Sequence, residues 1–407
     1  YAEARVPEVP TMLLELLSHQ NFADMKYGLD PNFRFTVSRA IYKGMLQFLA
    51  KRDGRLYMVQ PLPVNSFEIA PSGNNKFLLS WKPTTDTLTA NSDASSYLVY
   101  ERIGNGAFKF VAKTVAPQYL AEVNDNLIHS YKVVAMNDGG KSFPSEILSL
   151  GVAPESKGTV MVVNGFTRVS APDWFEAGEI AGFYDERDHG VPYVNDISFI
   201  GSQFEFRREI PWMDDDAAGF GASRSNYETK VIAGNTFDYP IVHGEAIMAA
   251  GYSFVSSSMD AFAGKSFNAE QYPVVDIIMG KQKEVKIGRG AVPNRYKTMS
   301  PELMTTITEY TKTGGNVMLT GSFIATDIWD KKNAVEEEKA FAADVLGYKW
   351  RVGQAAIVGK IHSVPSIHSK LSDDGSWTFG MELNDKIYAV ESPDAIYPAD
   401  TQTGATV

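Results

Sequence analysis

Apolar positions along the 407-residue chain follow three successive rhythms, each predicting a different kind of structure. In the first, Val9-Pro-Thr-Met-Leu-Leu-Glu-Leu-Leu17 is almost continuously apolar and reads as a buried strand. Asp30-Pro31 then supplies an N-cap and a proline at the first helical position. From Phe33 to about Lys51 the residues Val37, Ile41, Met45, Leu46 and Leu49 recur at helical spacing. Asp53-Gly54 ends that helix, and Pro61-Leu62-Pro63 is a linker.

The second rhythm is one of short alternating strands separated by Ser, Asn, Gly and Asp clusters, the signature of an all-β sandwich over 62–152. Its clearest strands are Phe77–Trp81, Tyr97–Arg102, Phe108–Ala112 and Tyr131–Ala135, with Gly104-Asn105-Gly106 turning one hairpin. From Gly158 the third rhythm alternates buried strands with helices: Val160–Val163, Val274–Ile278, a helix from Pro301 to Lys312, then Val317–Leu319. That order predicts a parallel sheet. Gly314-Gly315 falls where a helix C-terminus calls for positive φ. A chain of this length exceeds one ordinary core. The expected organisation is multidomain: an α/β fragment over 1–58, the sandwich over 62–152, and an α/β parallel-sheet domain over 157–407, truncated at its C-terminus.

Charge and composition narrow the chemistry. A formal net charge of -11 repels phosphate backbones, which argues against nucleic acid as a partner. No apolar run reaches the roughly 18 residues that span a bilayer. The absence of cysteine excludes disulfides, thiolate nucleophiles and Cys-ligated metal.

Trp81, Tyr97, Tyr100, Tyr131 and the turn Asn137-Asp-Gly-Gly-Lys-Ser142-Phe-Pro-Ser145 together resemble fibronectin type III domains. The resemblance makes Tyr131 the tyrosine-corner residue, its hydroxyl bonded to backbone upstream. Leu127-Ile-His-Ser130 replaces the usual approach to that tyrosine, with His129 read as an exposed loop residue. Such a sandwich carries no chemistry of its own and implies a spacer or docking module.

Val6-Pro-Glu-Val-Pro-Thr-Met-Leu-Leu-Glu15, with Leu16-Leu-Ser18 and the helix containing Ser38-Arg-Ala-Ile-Tyr-Lys-Gly44, resembles the C-terminal end of zinc-dependent N-acetylmuramoyl-L-alanine amidases. The resemblance implies that Glu15 is a catalytic general acid or base, and that the zinc ligands of the parent enzyme precede Tyr1. It implies peptidoglycan as substrate and an exported protein, periplasmic, cell-surface or extracellular. A lone acid on an apolar strand is costly to bury unless paired or functional. A carboxylate at the strand's end, bonded to nearby amides, is the structural alternative. His19 alone makes no zinc site.

Asp276-Ile-Ile-Met-Gly280 and Tyr310-Thr-Lys-Thr-Gly-Gly-Asn-Val-Met-Leu-Thr-Gly-Ser322 resemble class I glutamine-amidotransferase-like, flavodoxin-like domains, including those of bacterial surface proteins labelled xanthan lyase-like. The family's nucleophilic cysteine position reads Gly321-Ser322-Phe323, so thiolate chemistry is excluded. Ser322 is a candidate nucleophile if His243, His362 or His368 serves as its base. Ile324 replaces the second glycine of a nucleophile elbow, and the alternative is a degenerate site kept as a scaffold or binding surface at the sheet's C-terminal edge, where Gly280 and Asp327 would also lie. Asp185-Glu-Arg-Asp-His189 and Asp214-Asp-Asp216 lack the ligand alternation of a calcium loop and read as solvated loops. His243-Gly-Glu245 lacks a zincin partner and reads as a helix N-terminal polar group. The aromatics from Trp174 onward leave open a cell-surface glycan platform within 173–235, against ordinary core packing.

Overall fold

The computed structural model describes residues 5–6, 8–184, 188, 190–191, 209, 211, 238–285, 295–331, 334–356, 360–362, 376–378 and 393–399. Its helices include α1 (Phe22–Leu29), α2 (Pro31–Asp53), α3 (Tyr239–Ala249), α4 (Met259–Phe262), α5 (Pro301–Lys312) and α6 (Thr326–Trp329). Its strands run β1 (Asn65–Pro71), β2 (Lys76–Lys82), β3 (Ser96–Ile103), β4 (Lys109–Thr114), β5 (Gln118–Glu122), β6 (Ile128–Asn137) and β7 (Gly140–Pro144). They continue as β8 (Leu148–Gly151), β9 (Thr159–Asn164), β10 (Trp174–Ala177), β11 (Ile180–Phe183), β12 (Ser253–Ser258), β13 (Val274–Gly280) and β14 (Asn316–Gly321). The chain divides into two compact units, Tyr1–Met45 with Val169–Tyr193, and Leu46–Arg168 with Val194–Val407. Among the described residues no helix is long and apolar enough to cross a membrane.

In the first unit the expected strand Val9–Leu17 does not form. The segment is irregular and exposed, Met12 at 75%, and Glu15 is exposed with it. The physical reason is that a strand needs a partner for its amides and carbonyls, and no described strand pairs with this run. The Asp30-Pro31 signal fares better: Pro31 opens α2, and Asp30 Oδ1 accepts from the Asn32 N–H at 2.9 Å. The hairpin β10–β11 carries Trp174 and Phe175. The Lys26 ammonium stands 3.9 Å from the Trp174 ring centroid and bonds Glu176 Oε1 at 2.8 Å.

The second unit contains an antiparallel β-sandwich of fibronectin type III-like strand order. One layer is β1–β2–β5; the other is β4–β3–β6, with β7 and β8 both pairing with β6. Inward positions alternate, so Phe67, Ile69, Leu79, Trp81, Tyr97, Val99, Tyr131 and Val133 fill the space between the layers. Two sequence expectations about the tyrosine corner are corrected. Tyr131 Oη donates to Glu101 Oε1 at 2.6 Å, not to backbone. His129 is buried on β6, its ring nitrogens each 2.9 Å from Glu101 Oε1 and Asp125 Oδ1. The His129 hydrogen bond and the Leu127 N–H hold Asp125 below the usual carboxylate range, while burial and Glu101 push the Tyr131 hydroxyl far up.

Beyond the sandwich, four parallel strands stand in the order β12–β9–β13–β14. In chain order this is 2-1-3-4, and α5 occupies the predicted Pro301–Lys312. Gly314 has φ +86° just past that helix, and a side chain at Gly315 would overlap the Tyr310 ring. The sandwich and this sheet are continuous. The outer edge of β12 pairs with β8 at Phe254–Gly151 and with β1 at Glu68–Ser257, so one strand closes the end of both sandwich layers. Ser256 Oγ donates to the Ser149 carbonyl at 2.7 Å and accepts its N–H at 2.8 Å. One apolar cluster runs from Trp81 and Leu148 through Met161 and Val255 to Tyr310.

Gly151 marks the tightest point of this join: a Cβ there would overlap Met248 and come within 2.8 Å of Phe254 Cε1. Gly151→Ala is expected to destabilise the second unit by about 1–3 kcal/mol through overpacking. Urea unfolding followed by tryptophan fluorescence measures it, and an unchanged midpoint would show that the join tolerates slack.

Candidate functional site

Open α/β sheets bind ligands beyond the carboxyl ends of their strands, at the point where strand order reverses. In this sheet that point lies between β9 and β13, and the structure fills it. Gln282 Oε1 accepts from the N–H groups of Thr167 and Arg168 at 2.9 and 3.0 Å, and its Nε2 donates to Thr167 Oγ1 at 3.0 Å. The buried Arg168 guanidinium donates to the Lys281 carbonyl at 3.1 Å. Gly280, at φ +50°, lets the Phe166 ring close over the strand end, since a Cβ would come within 2.7 Å of it.

Ser322 follows β14, half-buried. Its N–H donates to the Gly280 carbonyl at 2.8 Å, and its own carbonyl accepts from Asp394 N–H at 2.8 Å. Gly321 permits the tight turn: a Cβ there would sit 2.8 Å from Met279 Cβ. A nucleophile elbow needs free amides near the serine to stabilise an oxyanion. Here the amides of Ala325 and Thr326 donate to Asp394 Oδ2 at 2.8 and 2.7 Å, and Thr326 Oγ1 donates to Oδ1 at 2.5 Å. Asp327, the next acid in this turn, is buried and accepts from Glu284 N–H at 2.7 Å and Thr298 N–H at 3.3 Å; burial pushes its carboxyl up to about 6.

His243 is not a helix N-terminal polar group. It is the fifth residue of α3, and its Nδ1 lies 2.6 Å from Asp276 Oδ2. Asp276 pairs in register with Met318, four residues before Ser322, a displacement of about 13 Å along the strand. The structure therefore does not bring His243 and Ser322 together. His362 ends a short strand, Lys360–His362, and His368 lies outside the described residues. Glu15 and His19 are exposed in the other unit, and among the described residues no three metal-binding side chains cluster. Of the acidic loops, Asp188 is buried with Oδ1 accepting from Gly190 N–H; its neighbours 185–187 and 189, and Asp214–Asp216, lie outside the described residues.

Sequence reasoning passed over one carboxyl at the sheet's end. Asn164, closing β9, donates from Nδ2 to Glu146 Oε2 at 2.5 Å. Burial pushes Glu146 up to about 8, partly opposed by that hydrogen bond, and the Asp260 charge adds to the rise. Only its position between β7 and β8, where the sandwich meets β12, gives it this environment.

No family model matches the chain, and no curated protein matches it. Similar solved structures include the twitchin kinase region from C. elegans, 24% identical with a TM-score of 0.20, covering 22% of this chain and 16% of that one. The FN3tt mutant structure is 24% identical with a TM-score of 0.18, covering 22% and 92%. A fibronectin type III domain of human fibronectin type III domain containing protein 3 is 22% identical with a TM-score of 0.21, covering 25% and 94%.

Glu146 gives a pH signature with a definite sign. A carboxyl raised from 4.5 to about 8 favours the folded state while protonated. That stability is full below about pH 4.5, declines as pH rises, and is gone once pH has passed about 8. Glu146→Gln is expected to flatten stability between these limits in urea titrations, and an unaltered slope would count against the assignment.

Proposed function

We propose that this chain is part of an exported cell-wall or polysaccharide-acting protein, located in the periplasm, at the cell surface or outside the cell. In this reading the first segment belongs to an N-acetylmuramoyl-L-alanine amidase, and Glu15 is its general acid or base. The sandwich is a spacer, and the 2-1-3-4 sheet is a flavodoxin-like, glutamine-amidotransferase-like module without a nucleophile. Peptidoglycan is the partner.

The observation that carries the reading is the apolar run around Glu15. Val9, Met12, Leu13, Leu14, Leu16 and Leu17 are all exposed, an arrangement typical of a surface that another element covers. In the amidase reading, that element is the sheet that Val9–Leu17 completes. The closed crevice at Gln282 and the capped Ser322 turn support the loss of amidotransferase-type chemistry at the strand ends of the last module, Ser322 being a vestigial position. Among the described residues no three metal-binding side chains cluster; the reading puts the zinc ligands upstream of Tyr1.

The alternative, a surface glycan-binding or adhesion protein or a xanthan lyase-like one, finds less support, because the Lys26 ammonium covers one face of the Trp174 ring. Peptidoglycan digestion by the protein extended upstream of Tyr1 tests the proposal. Chelator-sensitive release of stem peptide, lost in Glu15→Gln by about a hundredfold or more, is the expected outcome. Glycan binding without amide cleavage would overturn it in favour of the alternative.

A further inference from the structure

The face of the parallel sheet beneath α3 carries a pair of side chains that the fold alone does not require. Gly244 presses α3 onto β12, since any side chain there would overlap the Phe254 ring. The helix lies over β8, β9 and β12, and the neighbouring His243 reaches Asp276 on β13, which is in register with Val162 of β9. Asp276 is set among Val160, Val162 and Ile278, its side chain only 4% exposed. A carboxylate in such apolar surroundings is costly unless its oxygens are bonded. Asp276 Oδ2 accepts from His243 Nδ1–H, but Oδ1 is buried without a hydrogen-bond partner. His243 Nε2 has no hydrogen-bond partner among the described residues, and the side chain is 22% exposed.

A pair that served only to pin α3 would be expected to satisfy these atoms. This one holds an imidazole in a single tautomer, with the lone pair of Nε2 turned away from the carboxylate. Beside it, Met318 shares the Asp276 face by register and is 52% exposed, a step from the helix down to an open sheet floor.

We propose that His243 and Asp276 form an acid–base centre for ester hydrolysis, His243 as the catalytic residue and Asp276 as its positioning residue. Nε2 takes a proton from water as the water oxygen bonds to the ester carbonyl carbon. The tetrahedral species then collapses: the carbon–oxygen bond to the alcohol breaks, and the imidazolium returns its proton to the alcohol oxygen. The acid product loses its proton to solvent. Asp276 stabilises the imidazolium between the two transfers.

The test is release of p-nitrophenolate from p-nitrophenyl acetate by the full chain, from pH 5 to 9. His243→Gln is expected to lower the protein-dependent rate at least tenfold. Asp276→Asn lowers it and displaces the pH profile, and His19→Gln, which removes an exposed histidine, leaves it unchanged. A folded His243→Gln protein that matches the parent rate overturns the proposal. If that variant does not fold, diethylpyrocarbonate treatment of the unaltered protein decides: loss of rate must follow acylation of His243 in peptide mass spectra, and loss without it overturns the proposal equally.

Discussion

The outer edge of β12 is the constraint on which the second unit depends. A parallel sheet has two edges whose amides and carbonyls need partners, and a sandwich has open ends where two layers part. Here one strand answers both needs. It pairs with β8 of one sandwich layer at Gly151 and with β1 of the other at Glu68, so the sandwich core and the sheet core are a single apolar cluster. Only a glycine fits beside Phe254, and Ser256 adds two hydrogen bonds to the Ser149 backbone.

Several features follow from that join. Arg102 of β3 and Asp238, just ahead of α3, form a buried ion pair at 2.8 Å, which ties the helix to the sandwich as well as to the sheet. Burying two charges is favourable only with close geometry and further hydrogen bonds, and Arg102 also donates to Ser130 Oγ at 3.2 Å. Glu146 owes its environment to the same seam. With α3 fixed from both sides, His243 is held over Asp276, while the carboxyl-end crevice is occupied by Gln282 and Phe166. The sheet's usual binding position is thus closed.

The sequence disclosed this architecture unevenly, for physical reasons. Alternation revealed β2, β3, β4 and β6, and apolar runs revealed β9, β13 and β14, because those patterns are local. β12 was hidden: Ser253-Phe-Val-Ser-Ser-Ser258 has only two apolar residues, and its buried Ser256 finds its partner at Ser149, distant in sequence. His129 looked like a loop residue for the same reason, its partner Glu101 being set by strand pairing. The run at Val9–Leu17 shows the converse: its apolar pattern is plain, but a strand forms only where a partner is present. At the candidate site, Gly280, Gly321 and Ser322 were legible as a turn. Closure by Asp394, 72 residues beyond Ser322, and by Gln282 depends on contacts that no local motif records.

Joined through β12, sandwich and parallel sheet should unfold as one cooperative body. Native-state hydrogen exchange in increasing guanidinium, read peptide by peptide, tests it most directly. The amides of Val133 in β6 and Val162 in β9 should lose protection at the same denaturant concentration with the same slope. Loss of protection in β9 while β6 remains closed, or the reverse, would show that sandwich and sheet are two independent domains.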